Sequence, residues 1–136
     1  MLSYTNVSAG YGSFQVLRDI SFRVDEGECV AIFGHNGAGK TTLLKCSVGD
    51  VEVSRGGVSY RDQPIIPGAV FLNARRGIGF VPQGHNVFKD LTVRQNLTIA
   101  GLNHPASNET IEEVYRLFPI LAQRSAQLAG SFSGGQ

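Results

Sequence analysis

The sequence holds two cysteines, three histidines and almost no net charge, and each shortage removes a class of function. Cys29 and Cys46 are too few for a disulfide framework; they read as small, reduced core residues, which fits the cytosol. His35, His85 and His104 share no ligand spacing with one another or with the cysteines, so no metal site is predicted from them. Twelve Lys and Arg against eleven Asp and Glu leave a formal charge of +1, which gives no footprint for nucleic acid or an acidic membrane surface. No apolar run approaches the length of a membrane span, and the N-terminus lacks the basic-then-apolar pattern of a secretory signal. What remains is 136 residues, 42% hydrophobic and 17% charged, enough for a globular domain with a core.

Glycine is not scarce, and its placement is informative. Gly34-His35-Asn36-Gly37-Ala38-Gly39-Lys40-Thr41-Thr42 matches the phosphate-cradling pattern G-x-x-x-x-G-K-[ST]. An apolar run, Cys29 to Phe33, precedes it and reads as a strand buried on both faces. Thr42 to Val48 follows as a helix that Gly49 ends. In such a loop, glycines let backbone amides converge on an anion, and the helix N-terminus points at the same place. Lys40 adds a mobile positive charge for the outer phosphates. Thr41 offers a hydroxyl to Mg²⁺, and Thr42 supports an inner phosphate.

The rest of the chain divides by pattern. Leu2–Val7, Ile20–Val24, Gly57–Tyr60 and Ile78–Val81 read as strands, with a turn at Glu26-Gly27 and a helix from Pro67 to about Arg76. Thr92-Val93-Arg94-Gln95 has the form of a capping box opening a helix towards Ala100. Residues 101–107 read as loop. Asn108 caps a further helix with Ile111, Val114, Tyr115 and Phe118 on one face and Pro119 at its end. Residues 1–83 thus form a sheet-and-helix core and residues 84–136 a helical subdomain.

Three weaker signals stand beside the loop. Tyr11, between Gly10 and Gly12, is placed to stack on a flat base, although a tyrosine beside glycines is more often a turn residue. Gln83, after the strand ending Val81-Pro82, offers a carbonyl oxygen to Mg²⁺ or a water; the plain alternative is a polar loop residue. Ser133-Gly134-Gly135-Gln136 is either a second anion cradle or a flexible tail.

Taken in order, Tyr11, Gly34 to Thr42, Gln83 and Ser133 to Gln136 resemble the nucleotide-binding subunit of ATP-binding cassette (ABC) transporters. The resemblance implies an α/β fold of the P-loop NTPase type, a mixed sheet around the phosphate-loop strand followed by the helical subdomain. It implies ATP and Mg²⁺ as ligands. Tyr11, Gly34, Asn36, Gly37, Ala38, Gly39, Lys40, Thr41, Thr42 and Gln83 would contact nucleotide. Thr41 and Gln83 would hold the metal, and Ser133, Gly134, Gly135 and Gln136 would meet the nucleotide of a second, head-to-tail subunit. It further implies transmembrane permease partners, a cytoplasmic position at the inner face of the plasma membrane, and no nucleic acid.

Finer likeness runs to the branched-chain amino acid importers. It rests on Tyr11-Gly12-x-x-Gln15-Val16-Leu17, on Phe88-x-Asp90-Leu91-Thr92-Val93-x-x-Asn96-Leu97, on Val114-Tyr115-x-Leu117-Phe118-Pro119 and on Gln127-Leu128-Ala129-Gly130. Val81-Pro82-Gln83-Gly84 is similar to the urea and short-chain amide branch. Phe132, Gly84-His85-Asn86 and Asp50 depart from the usual residues. The family's Walker B Asp, catalytic Glu and switch His have no counterpart in this sequence, so the resemblance implies the N-terminal part of a longer protein or an interrupted gene product, with little hydrolysis of its own. Alternatives are a non-transport cassette ATPase and a nucleotide-binding remnant without activity. Incomplete cover of the apolar strands predicts association.

Overall fold

The computed structural model describes residues 1–84, 86–101 and 107–132, with the Ser107 side chain excepted. The chain forms two compact units, Met1–Phe80 and Val81–Gln136.

The first unit is built on an antiparallel sheet of strands β1 (Leu2–Tyr11), β2 (Phe14–Val24), β3 (Val53–Tyr60) and β4 (Gln63–Pro64), in the order β2-β1-β3-β4. Strand β1 therefore has a partner along each edge. The pairing is not uniform: the register shifts between Tyr4 and Val7, and Asn6 and Asp19 take positive φ of 49° and 52°. These bulges explain why Val7, Ser8 and Ala9 are buried in succession, where strict alternation would turn one of them outward. Asn6 and Asp19 are joined by Asn6 Nδ2 donating to Asp19 Oδ1 at 2.9 Å. At the β3–β4 hairpin Arg61 and Asp62 both take positive φ, the requirement of a tight two-residue turn.

Helix α1 (Lys40–Val48) packs on this sheet and closes the core. Tyr4, Val7, Ala9, Leu17, Cys46, Val51 and Val58 are buried together. Tyr4 stacks on Phe22 at a centroid distance of 4.4 Å and donates its hydroxyl to Leu43 O at 2.7 Å, tying the sheet to the helix. Burial raises the Tyr4 phenol far above its ordinary pKa. Gly49 ends α1 in the left-handed conformation, φ 77°, with amides 49 and 50 donating to Cys46 O and Lys45 O.

A short helix, α2 (Val70–Arg75), follows, and Asn73 within it is 0% exposed. Its Nδ2 donates to Val48 O at 3.0 Å and to Ile66 O at 2.8 Å, while its Oδ1 accepts from Ile66 N at 3.1 Å. One side chain thus holds the C-terminal end of α1 to the 65–66 segment.

Two expected strands do not form. Cys29–Phe33 has no ladder partner among the described residues and is exposed along its length, with Phe33 90% exposed. Ile78–Val81 is likewise not a strand, and Val81 is exposed. Apolar, β-prone sequence makes a strand only where another backbone supplies hydrogen bonds. The expected mixed sheet around the phosphate-loop strand is accordingly replaced by the antiparallel one. Cys46 is buried as expected, but Cys29 is not. The helix expected from Pro67 begins at Val70.

The second unit is helical. Helix α3 (Val93–Gly101) opens on the expected capping box: Gln95 N donates to Thr92 Oγ1 at 3.2 Å and Thr92 N to Gln95 Oε1 at 2.8 Å. Asn96 clamps the preceding turn, donating to the carbonyls of Phe88, Leu91 and Thr92 and accepting from Phe88 N. Helix α4 (Ser107–Leu117) half-buries Ile111, Val114 and Tyr115, whereas Phe118 lies outside it and is exposed. Pro119 ends α4 and also occupies the first turn of α5 (Pro119–Gln123). Amides 93 and 129 pair with Gln127 O and Leu91 O, fastening the segment after α5 to the start of α3. Among the described residues no helix is long and apolar enough to cross a membrane.

Candidate phosphate site

The site is assembled in the first unit from β1, β2 and the start of α1. After β2 the chain turns at Glu26-Gly27, runs through the unpaired segment 29–33, and enters the loop Gly34 to Gly39. Gly39 is the residue on which α1 begins. Its φ is 92°, and a Cβ there would stand 2.9 Å from Leu17 Cδ2 and 3.1 Å from Val16 Cγ1. The loop therefore lies against β2 with no room for a side chain, in a backbone conformation that L-residues avoid.

Lys40 closes the loop on itself. Its Nζ donates to Gly34 O and to His35 O, both at 2.7 Å. An ammonium has three N–H groups. Two draw the first carbonyls of the loop inward, and the third is available to an anion beside them. Ala38 N donates to His35 O at 3.2 Å, a further turn within the same loop.

The mouth of α1 is open. Gly39 has no side chain to cap it, and no acidic residue stands in the first turn. Helix geometry leaves the first amides without intrahelical partners, and the aligned peptide dipoles favour negative charge there. Thr41 is exposed on this turn, and Thr42 is buried with its Oγ1 at 3.4 Å from the Tyr11 hydroxyl. Amides, one ammonium and two hydroxyls form a donor set that fits a polyphosphate. Tyr11 itself is 49% exposed, so about half of the residue is open to solvent.

The structure thus brings Tyr11, Gly34, Asn36, Gly37, Ala38, Gly39, Lys40, Thr41 and Thr42 together in one unit. Gln83 belongs to the second unit, exposed in a bend after Pro82. Ser133, Gly134, Gly135 and Gln136 lie outside the described residues. Among the described residues no group of His, Cys, Asp and Glu is arranged to hold a metal ion. Two contributions escaped the sequence. His35 acts through its carbonyl, which any residue supplies, and the Tyr11–Thr42 contact joins positions 31 apart that no local motif connects.

Comparison with known proteins agrees with the loop. Residues 17–136 match the family described as ABC transporter. The chain is 38% identical to the high-affinity branched-chain amino acid transport ATP-binding protein BraG of Pseudomonas aeruginosa, covering 100% of this chain and 59% of that protein. It is 33% identical to the probable branched-chain amino acid transport ATP-binding protein LivF of Archaeoglobus fulgidus, covering 100% of this chain and 58% of that protein. A solved ATP-binding subunit of an ABC transporter superposes with a TM-score of 0.80 at 32% identity, over 98% of this chain and 56% of that one. A nucleotide-free ATP-binding cassette gives a TM-score of 0.80 at 27% identity, over 99% and 60%. The chain spans less than two thirds of the length of each. With the match extending from the second strand to the last residue, the chain belongs to the ABC transporter family.

Proposed function

We propose that this chain carries the phosphate-binding half of an ATPase that drives import of branched-chain amino acids or related small solutes. One observation supports the nucleotide part above all: the loop 34–39 is drawn closed by Lys40 at the uncapped N-terminus of α1. Lys40 lies against the phosphates, Thr41 holds Mg²⁺ and Thr42 an inner phosphate. When bound, Mg²⁺ would supply neutralisation of phosphate charge. Carried over from the resemblance, Gln83 is a further metal contact, and Ser133, Gly134, Gly135 and Gln136, which lie outside the described residues, serve the nucleotide of a head-to-tail second subunit. Permease subunits hold the assembly at the membrane. The names of the two bacterial and archaeal relatives support the solute class, which the permease rather than the ATPase selects.

On this reading the chain alone binds MgATP and turns it over slowly, because none of its residues follows an apolar strand in the manner of a metal-binding Asp and a general-base Glu. Calorimetry with MgATP tests the reading. Uptake is expected with the wild type and a loss of at least tenfold in affinity with Lys40→Ala, since a charged hydrogen bond to phosphate contributes about 1.5–3 kcal/mol. Unchanged uptake by Lys40→Ala refutes the site, and brisk Lys40-dependent phosphate release refutes the slow turnover.

A further inference from the structure

We propose that the Tyr11 hydroxyl is a positioning group: it orients the Thr42 hydroxyl towards the innermost phosphate, so that Tyr11 serves the phosphate site as well as the base. The inference rests on the phosphate-loop reading above and adds a residue role to it.

Tyr11 stands at the last position of β1, opposite Phe14 across a turn in which Gly12 takes φ 55°. The hairpin fixes where the ring goes. Its hydroxyl reaches α1, 3.4 Å from Thr42 Oγ1, and 49% of the residue stays exposed. If the ring served only as a stacking surface, a phenylalanine would do the same work and no contact between its hydroxyl and α1 would be needed. The hydroxyl instead reaches a threonine that is only 6% exposed, in the first turn of the helix whose amides face the anion.

The behaviour of a helical threonine makes this contact consequential. Left alone, a threonine in a helix turns its hydroxyl back to the carbonyl one turn earlier. Thr98 in α3 does so, donating to Arg94 O at 2.9 Å. Thr42 pairs with Tyr11 instead. A threonine hydroxyl has one hydrogen and two lone pairs. When Tyr11 donates to Thr42 Oγ1, the Thr42 hydrogen is released from the helix and is free to point outward, to the phosphate side. At 3.4 Å the pair is long on its own. A phosphate oxygen accepting from Thr42 polarises that hydroxyl and strengthens the contact behind it, so the two bonds form cooperatively. Lys45, one turn further along α1, is bonded to Asp50 at 2.8 Å and acts on the phenol only through its charge.

The test compares a ligand with phosphates to one without. Dissociation constants for MgADP and for adenosine are measured on the wild type, Tyr11→Phe, Thr42→Val, the double variant, and Thr42→Ser with and without Tyr11→Phe. Tyr11→Phe keeps the ring, and at a half-exposed position it disturbs no packing. It is expected to weaken MgADP roughly 3- to 10-fold, the range of one hydrogen bond, and to leave adenosine within twofold. In the Thr42→Val background Tyr11→Phe should cost nothing further, whereas in Thr42→Ser, which retains the hydroxyl, it should still cost. Equal MgADP binding by wild type and Tyr11→Phe overturns the inference alone. So does an equal loss for adenosine and MgADP, or the same loss with and without the Thr42 hydroxyl. Failure of the wild type to bind MgADP overturns the phosphate-loop reading, and this inference with it.

Discussion

Asn73 is the position where a small change should have the largest effect on the first unit. It is fully buried and makes three hydrogen bonds, to Val48 O, Ile66 O and Ile66 N. Two acceptors and one donor around it fix the amide orientation, and only an amide satisfies all three. Asn73→Ala removes the three bonds and leaves their partners without water to replace them. At about 1 kcal/mol each the loss is about 3 kcal/mol, a large share of the 5–15 kcal/mol typical of a domain. For a unit of this size the midpoint of thermal unfolding should fall by more than about 10 °C. Asn73→Asp sharpens the argument. A carboxylate accepts from Ile66 N but faces two carbonyl oxygens, which oppose its charge. Its folded-state pKa is therefore raised above the ordinary value of about 3.9. The sign follows: the protonated form is the stable one, its stabilisation is fully present below about pH 4, and it is lost as pH rises through the raised folded value. Thermal melting by circular dichroism between pH 4 and pH 8 should show Asn73→Asp gaining stability relative to Asn73→Ala as pH falls. A cost below about 0.5 kcal/mol for Asn73→Ala, or parallel behaviour of the two variants at every pH, would refute the reasoning.

Two further outcomes follow from burial. Burial pushes the Cys46 thiol up to about 11 from 9.0, while Cys29 is exposed. A thiol reagent at pH 8 should therefore modify Cys29 quickly and Cys46 only on unfolding; the raised value also means that stability is complete below about pH 9 and declines as pH approaches about 11, and equal labelling rates would contradict both. The purified chain should associate through 29–33, an uncharged, β-prone segment with Val30 45% and Phe33 90% exposed; Ile32→Lys should lower the weight-average mass seen by sedimentation, and a monodisperse wild-type monomer would refute this.

How far the fold was legible in the sequence depended on whether the signal was local. The capping box at Thr92 and Gln95, the helix stop at Gly49 and the strand at Leu2–Val7 are each written in a few adjacent residues, and the structure has all three. Strands Cys29–Phe33 and Ile78–Val81 were equally plain as sequence, yet neither forms. Their hydrophobic pattern states what would be stable beside a partner, not that the partner is there. The bulges at Asn6 and Asp19 and the turn at Arg61-Asp62 were not legible, because residues other than glycine take positive φ there. Asn and Asp tolerate this conformation better than other side chains, but the sequence holds many of both and does not say which adopt it.

The phosphate loop was more legible than the fold around it, and for a physical reason. An anion site made of backbone amides needs residues that leave the backbone bare, and a Lys-Thr pair at the helix mouth, so its chemistry is spelled out contiguously from Gly34 to Thr42. The supports are not contiguous. Val16 and Leu17 demand glycine at 39 from the opposite strand, Asn73 holds the far end of α1, and Tyr11 reaches Thr42 across 31 residues. Each acts through shape or a single hydrogen bond, and each is an ordinary residue until the chain is folded. The loop therefore carries the signal for the proposed ligand, while the residues that hold the loop in place become visible only when three separate segments of the first unit are brought onto one helix.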